Sequence, residues 1–329
     1  VSRSFHHKPA VREACPLLVG LTGPSGSGKT KSALRLATGI VAIRGGKVVG
    51  VDTESNRMLH YAPAAGEKAD PSRGTYDFLH IPFAPPHSSD DYKEVILQAS
   101  KLAEGGCVII DSMSHEHEGE GGYLEFHDRE VERMSKGDAQ KAERVTFAGW
   151  IKPASARRKL INSILQINCS FVFCFRAKEK LKIVRGKDPV ELGWQAIAGE
   201  EFVYEMTSRM LLPPGAGGVP SFDASAFEHN AAKLQEQHSA MFKRDAPLDE
   251  ETGERLARWA AGGAPKPPTD DDGVIIDHEE LARRMKECDS YALEKFLTIA
   301  KIKSIKDLPV ADIPDAVRWV EKRVAMKGR

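Results

Sequence analysis

Along the first half of the chain, short unbroken apolar runs ending in glycine or aspartate alternate with longer stretches whose apolar residues recur at helical spacing. "PLLVGLTG" is the first such run and has the pattern of a strand buried on both faces. Lys29–Arg44 follows with Ala33, Leu34, Leu36, Ala37, Ile40 and Val41 on one helical stripe. "GKVVGVD" predicts a second strand, "DDYKEVILQASKLAEG" a helix with Asp90 as its N-cap, and "CVIID" a third strand. Next come a Gly/Glu-rich loop "SHEHEGEGGY" (Ser114–Tyr123), polar helical sequence to about Ala148, a helix from Pro153 to Asn168, and the strand "SFVFCF" (Ser170–Phe175). Short β-type segments ("LKIV", "SRMLLPP", "GVPSF") and a helix in "DEETGERLARWAAGG" close the core. Strands alternating with helices predict a parallel sheet with helices on its faces.

The same pattern divides the chain. Residues 1–13 read as an N-terminal arm and 14–261 as the α/β core. Residues 262–276 form a linker, because the Pro and Gly of "GGAPKPPTDDDG" oppose regular structure and its aspartates repel one another. Residues 277–329 carry apolar positions at helical spacing (Leu281, Met285, Leu293, Phe296, Ile313, Val317) and predict a three-helix module, small enough to be marginal alone.

Composition then excludes several classes. The chain has 329 residues, of which 41% are hydrophobic, enough for a sizeable core. Its 47 basic and 47 acidic residues cancel, so global basicity gives no argument for nucleic acid and only local charge counts. The five cysteines form no CxxC pair and three lie in apolar runs, which predicts buried reduced thiols. No apolar run approaches the roughly 20 residues that span a bilayer. The first residues have neither the apolar centre of a signal peptide nor a lipidation motif, so the expected location is cytoplasmic, with no membrane partner.

The chemistry begins at Gly23-Pro24-Ser25-Gly26-Ser27-Gly28-Lys29-Thr30, a GxxxxGK[ST] loop set between a strand and a helix. Its glycines let backbone N–H groups wrap phosphates, and the helix N-terminus adds its positive dipole end. Lys29 is placed to reach the β- and γ-phosphates, and the Thr30 hydroxyl to ligate Mg²⁺. Asp111, closing "CVIID", is the matching second Mg²⁺ partner. "VVGVDTES" puts Glu54 just past the second strand, which is expected to lie beside the P-loop strand and to aim Glu54 at the attacking water; Asp52 is the alternative base. His115 and His117, alternating with Glu116 and Glu118, supply too few convergent ligands for a metal, while His115 or Glu116 could instead join the nucleotide site.

These residues resemble the RecA-like recombinase ATPases, most closely the short bacteriophage versions that act as single-strand annealing or strand-exchange ATPases. The resemblance spans roughly Leu17–Pro214 and rests on the P-loop, on "VDTES" with Glu54, on "VIIDS" with Asp111, and on "FVFCF" leading into a polar segment. It implies a RecA-like P-loop NTPase core with a central, mainly parallel sheet plus a small C-terminal helical module. It also implies ATP and Mg²⁺ as ligands, assembly into a ring or filament, and Tyr61 as an adenine contact, although a packed aromatic explains Tyr61 equally well.

Two loops of that family line the path of single-stranded DNA. Here they correspond to Ser114–Tyr123, which is acidic and so a poor DNA contact, and to the excursion Arg176–Glu200. The excursion holds Arg176, Lys178, Lys180, Lys182, Arg185 and Lys187, and "KPASARRKL" adds Arg157, Arg158 and Lys159. Such runs track a phosphate backbone or are merely solvated. Arg176 and Lys178 also fit contact with the γ-phosphate. The C-terminal module resembles the helical tails of phage annealing proteins, which implies docking to DNA, to a single-strand-binding protein or to another recombination protein. A P-loop phosphotransferase acting on a small molecule and a hexameric helicase-type motor stay open as alternatives.

Overall fold

The computed structural model describes residues 14–182, 190–228 and 231–262, and within 278–323 all but 289–290, 301, 309–315, 318 and 321–322. The arm, most of the linker, Arg185 and Lys187 lie outside these residues. The chain divides into a unit formed by Cys15–Ala260 and a second that holds the C-terminal helices.

Each apolar run becomes a strand because its alternate side chains are claimed by opposite layers. In chain order the first unit contains β1 (Leu18–Gly23), α1 (Lys29–Arg44), β2 (Val48–Asp52), β3 (Leu79–Pro82), α2 (Ser89–Leu102), β4 (Cys107–Asp111) and α3 (Ser114–Glu118). It continues with α4 (Tyr123–Ser135), α5 (Ala139–Gly149), α6 (Ile151–Leu165), β5 (Ser170–Lys182), β6 (Val190–Ala196), α7 (Glu200–Tyr204) and β7 (Ser208–Leu211). Three helices finish it: α8 (Ala224–Glu228), α9 (Glu236–Ser239) and α10 (Glu250–Ala260). The strand order is β3-β2-β4-β5-β1-β7, every neighbouring pair is parallel, and β6 pairs antiparallel with the far end of β5.

Along β5, Phe171, Phe173 and Phe175 enter one apolar layer with Tyr92, Ile96, Leu160 and Ile164 from α2 and α6. Val172 and Cys174 enter the opposite layer with Leu34, Ile40 and Leu256 from α1 and α10. Helices α1 and α10 meet closely, since a Cβ on Gly39 would overlap the Glu250 carbonyl. That contact explains a glycine inside a helix, where it otherwise costs about 1 kcal/mol. Cys107, Cys169 and Cys174 are buried and free, whereas Cys15 is exposed and free.

The structure corrects several expectations. β2 does not neighbour β1, because β5 and β4 lie between them. Ser88, not Asp90, caps α2, its hydroxyl accepting from the Asp91 N–H at 3.1 Å. The expected loop Ser114–Tyr123 contains helix α3, and the expected excursion Arg176–Glu200 is largely the β5–β6 hairpin. "GVPSF" forms no strand, and β3, a four-residue strand with exposed ends, was not legible as one. In the second unit, α11 (His278–Cys288) and α12 (Ala292–Ala300) bury Leu281, Met285, Ala292 and Phe296 in a cluster with Ala316 and Val320. The third expected helix falls partly outside the described residues. Among the described residues no helix is long and apolar enough to cross a membrane.

Candidate nucleotide site

Parallel register brings the carboxyl ends of β1, β4 and β2 level with Arg176 inside β5. Gly23 pairs with Arg176, Cys174 with Asp111, and Asp111 with Asp52, so the segments after β1, β4 and β2 meet the Arg176 stretch of β5 at one edge. A cleft of about 720 Å³ lies there, lined by the P-loop, Glu54, Arg57, His60, Tyr61, Asp111, Glu118, Arg176, Ala177 and Ile197. Its volume is typical of small-molecule sites.

The P-loop leaves β1 and re-enters α1 through Gly28 at φ 96°, where a Cβ would also come within 2.5 Å of the Gly218 nitrogen. The Gly218 N–H donates to the Ser27 carbonyl at 2.9 Å, so the loop after β7 braces the P-loop from behind. Lys29 Nζ donates to the Gly23 and Pro24 carbonyls, each at 2.8 Å, and burial lowers its pKa. Thr30 Oγ1 donates to Asp111 Oδ2 at 2.5 Å. Asp111 is only 4% exposed, and burial pushes its pKa up to about 6 against the opposing pull of Thr30 and Lys29. A hydroxyl and a carboxylate in contact form the oxygen donor set that Mg²⁺ prefers. The Ser27 hydroxyl is buried without a partner, a further unspent donor inside the loop. The residues present therefore fit a Mg²⁺-bound triphosphate.

Asp52 and Glu54 separate in role. Asp52 is 2% exposed; its Oδ1 accepts the Glu54 N–H at 2.7 Å, and its Oδ2 accepts the Met58 N–H at 3.0 Å and faces His80 Nε2 at 3.2 Å. Its carboxylate is used in holding the turn on which Glu54 stands. Glu54 reaches the cleft, with Oε1 2.9 Å from both Nε and Nη2 of Arg176 and Oε2 3.6 Å from Arg57. Although β2 is displaced from β1, the turn after it carries Glu54 back toward the P-loop.

Tyr61 lines the cleft and also packs against the apolar core. Lys178 does not reach the cleft wall; it is exposed on β5, as is Lys180, and Lys182 ends that strand. Glu116 does not join the site either. It is 3% exposed and receives Arg157 Nη2 at 2.8 Å and Nε at 3.1 Å, which folds α3 onto the core. Arg157 is thereby excluded from any DNA face, while Arg158 and Lys159 are exposed. His115 Nδ1 meets Thr53 Oγ1 at 2.7 Å and His117 Nδ1 accepts from Arg157 Nη2 at 3.0 Å. Burial, reinforced by Arg176 and Arg157 respectively, lowers each imidazole to about 4. Among the described residues no group of three or more His, Cys, Asp or Glu could hold a metal. Sequence reasoning missed Arg57, three residues past Glu54, and Thr53, whose hydroxyl accepts the Ser112 N–H at 2.7 Å and ties β2 to β4.

The parallel sheet with the P-loop strand between β5 and β7, and the Asp111 strand one place further out, defines a RecA-like P-loop NTPase fold. No protein-family model and no curated protein matches the chain. Among solved structures, it is similar to a KaiC-like protein from the hyperthermophilic archaeon Pyrococcus horikoshii, at 13% identity and TM-score 0.31 over 62% of this chain and 80% of that one. It is also similar to an ATPase of the type III secretion system of pathogenic bacteria, at 11% identity and TM-score 0.32 over 93% of this chain and 79% of that one. Likeness of that degree adds no weight; the fold class stands on the strand order and the P-loop.

Proposed function

We propose that the protein is a Mg²⁺-dependent ATPase that binds single-stranded DNA and assembles into a ring or filament, of the phage recombination and annealing kind. The observation that carries this reading is the meeting of Lys29, Thr30, Asp111 and Glu54 in one cleft whose wall runs on into the cation-bearing strand β5. Lys29 holds the β- and γ-phosphates, the P-loop N–H groups wrap them, and Thr30 with Asp111 holds Mg²⁺. When bound, the metal neutralises charge on the β- and γ-phosphate oxygens. Glu54 accepts the proton of the attacking water, so that ATP and water give ADP, inorganic phosphate and a proton. Tyr61 stacks on the base. Lys178, Lys180 and Lys182, joined by Arg185 and Lys187, track the DNA backbone. The C-terminal helices form a tethered module for DNA or for a recombination partner.

Steady-state ATPase with and without single-stranded DNA at two salt concentrations, with Glu54→Gln alongside, tests the reading. A DNA-dependent, salt-sensitive rise that Glu54→Gln abolishes is expected. Turnover that ignores DNA and rises with a small-molecule acceptor would replace this reading with a phosphotransferase.

A further inference from the structure

Strand β5 changes character at Arg176. Up to Phe175 it is buried between β1 and β4; beyond Ala177 it pairs with β6 alone and is exposed. Arg176 is the joint, since its N–H donates to Ser114 Oγ at 2.8 Å and its carbonyl accepts the Ile197 N–H at 2.8 Å, so both hairpin strands are fixed at its backbone. Its guanidinium turns into the cleft, where Nε and Nη2 both engage Glu54 Oε1 at 2.9 Å. The carboxylate of Glu54 is 15% exposed and the Arg176 side chain 41%, so the pair is open to competition from solvent-borne anions only through the arginine.

Two consequences follow from elementary chemistry. A carboxylate oxygen that accepts charge-assisted bonds from a guanidinium is turned to that partner rather than to an attacking water, and here Arg176 occupies Oε1 of Glu54. Side chains two apart on a strand share a face, at about 6.6 Å per step. Arg176, Lys178 and Lys180 are therefore the first three cations of one row. A nucleic-acid backbone laid along that row offers phosphates to Arg176 as well, and a phosphate competes with a carboxylate for the same planar fork.

We infer that Arg176 is a latch on Glu54: it holds the glutamate in an ion pair until single-stranded DNA on the β5 row draws the guanidinium away and frees the carboxylate to act. Arg176 is a positioning residue in this scheme, acting through Glu54. The inference rests on the DNA-coupled ATPase reading, and wild-type behaviour tests that reading separately.

The experiment is ATP turnover of the full chain with and without poly(dT), in wild type, Arg176→Gln, Arg176→Lys and Glu54→Gln, with affinity for poly(dT) measured by fluorescence anisotropy. Arg176→Gln is expected to raise DNA-free kcat about tenfold, the scale of one charge-assisted hydrogen bond. KM for ATP stays unchanged, and stimulation by poly(dT) shrinks to less than about twofold. Arg176→Lys, which keeps the charge but loses the fork, gives an intermediate release and serves if the glutamine variant does not fold. The latch is overturned if either variant lowers DNA-free kcat, which would put Arg176 on the phosphates, or if both leave kcat and its stimulation unchanged. Wild-type ATPase that poly(dT) does not stimulate, or that survives Glu54→Gln, removes the underlying reading and the latch with it.

Discussion

Replacing Arg157 by methionine is the sharpest probe of how the site is supported. The arginine is 2% exposed and has four obligations. It makes a forked pair with Glu116 at 2.8–3.1 Å, donates to His117 Nδ1 at 3.0 Å, meets Glu201 at 3.3 Å, and lies 3.3 Å over the Tyr123 ring. Methionine fills much of the volume but leaves Glu116, 3% exposed, with only the Ser89 hydroxyl donating at 2.6 Å. An uncompensated buried charge costs about 3–5 kcal/mol, to which loss of the cation–π contact adds about 1 kcal/mol. In a unit of this size each kcal/mol lowers Tm by about 2–4 °C, so a fall of roughly 8–24 °C is expected. Thermal and urea unfolding followed by circular dichroism measures it. The double variant Glu116→Leu/Arg157→Met removes both charges and should recover most of the loss, since buried pairs are weak stabilisers relative to apolar replacements. A single variant within about 1 kcal/mol of wild type, or a double variant as unstable as the sum of the singles, would refute the reasoning.

Three further outcomes are expected. Asp52→Asn loosens the turn under Glu54 and should lower kcat about 10- to 100-fold, the cost of a misplaced catalytic group, while nucleotide affinity changes less than about threefold; equal losses in both would mean a wider collapse. Gly28→Ala must place a Cβ at φ 96° and 2.5 Å from the Gly218 nitrogen, so affinity for a fluorescent ATP analogue should fall at least tenfold, and wild-type affinity would contradict the cradle. His117, at about 4 in the folded chain against about 6.5 unfolded, stabilises fully above the unfolded value and loses that contribution as pH falls toward 4. His117→Gln should therefore flatten the decline of urea midpoint between those two values, and an unchanged slope would place the proton uptake elsewhere.

Local signals picked out residues that meet in one cleft, and gave the layout less well. The P-loop and Asp111 were legible because each combines a short motif with a strand or helix boundary that the apolar pattern marks independently. Glu54 was legible for a partly wrong reason, since the order of strands in a sheet leaves no trace in any one strand. The acidic run around Glu116 read as a solvated loop because its partner, Arg157, lies far along the chain inside another charged run, and neither residue advertises that it is buried. The hairpin was hidden in the same way. Arg176, Lys178 and Lys180 alternate with period two, yet they attract notice as a cluster of charge before they do as one face of a strand. Asp52 had the right chemistry and the wrong job, because only coordinates reveal that backbone donors at Glu54 and Met58 already claim both of its oxygens.

Among the described residues, the three buried cysteines give the first unit a built-in clock for its own opening. Cys107 and Cys174 sit in central strands, and Cys174 lies across from Asp111, with burial holding both thiols far above their ordinary range. A thiol reagent can modify them only when the sheet parts, whereas exposed Cys15 reacts at once and sets the zero of time. Slow labelling in excess reagent therefore counts openings of the very strands around Asp111, and a bound nucleotide should lengthen the interval between them.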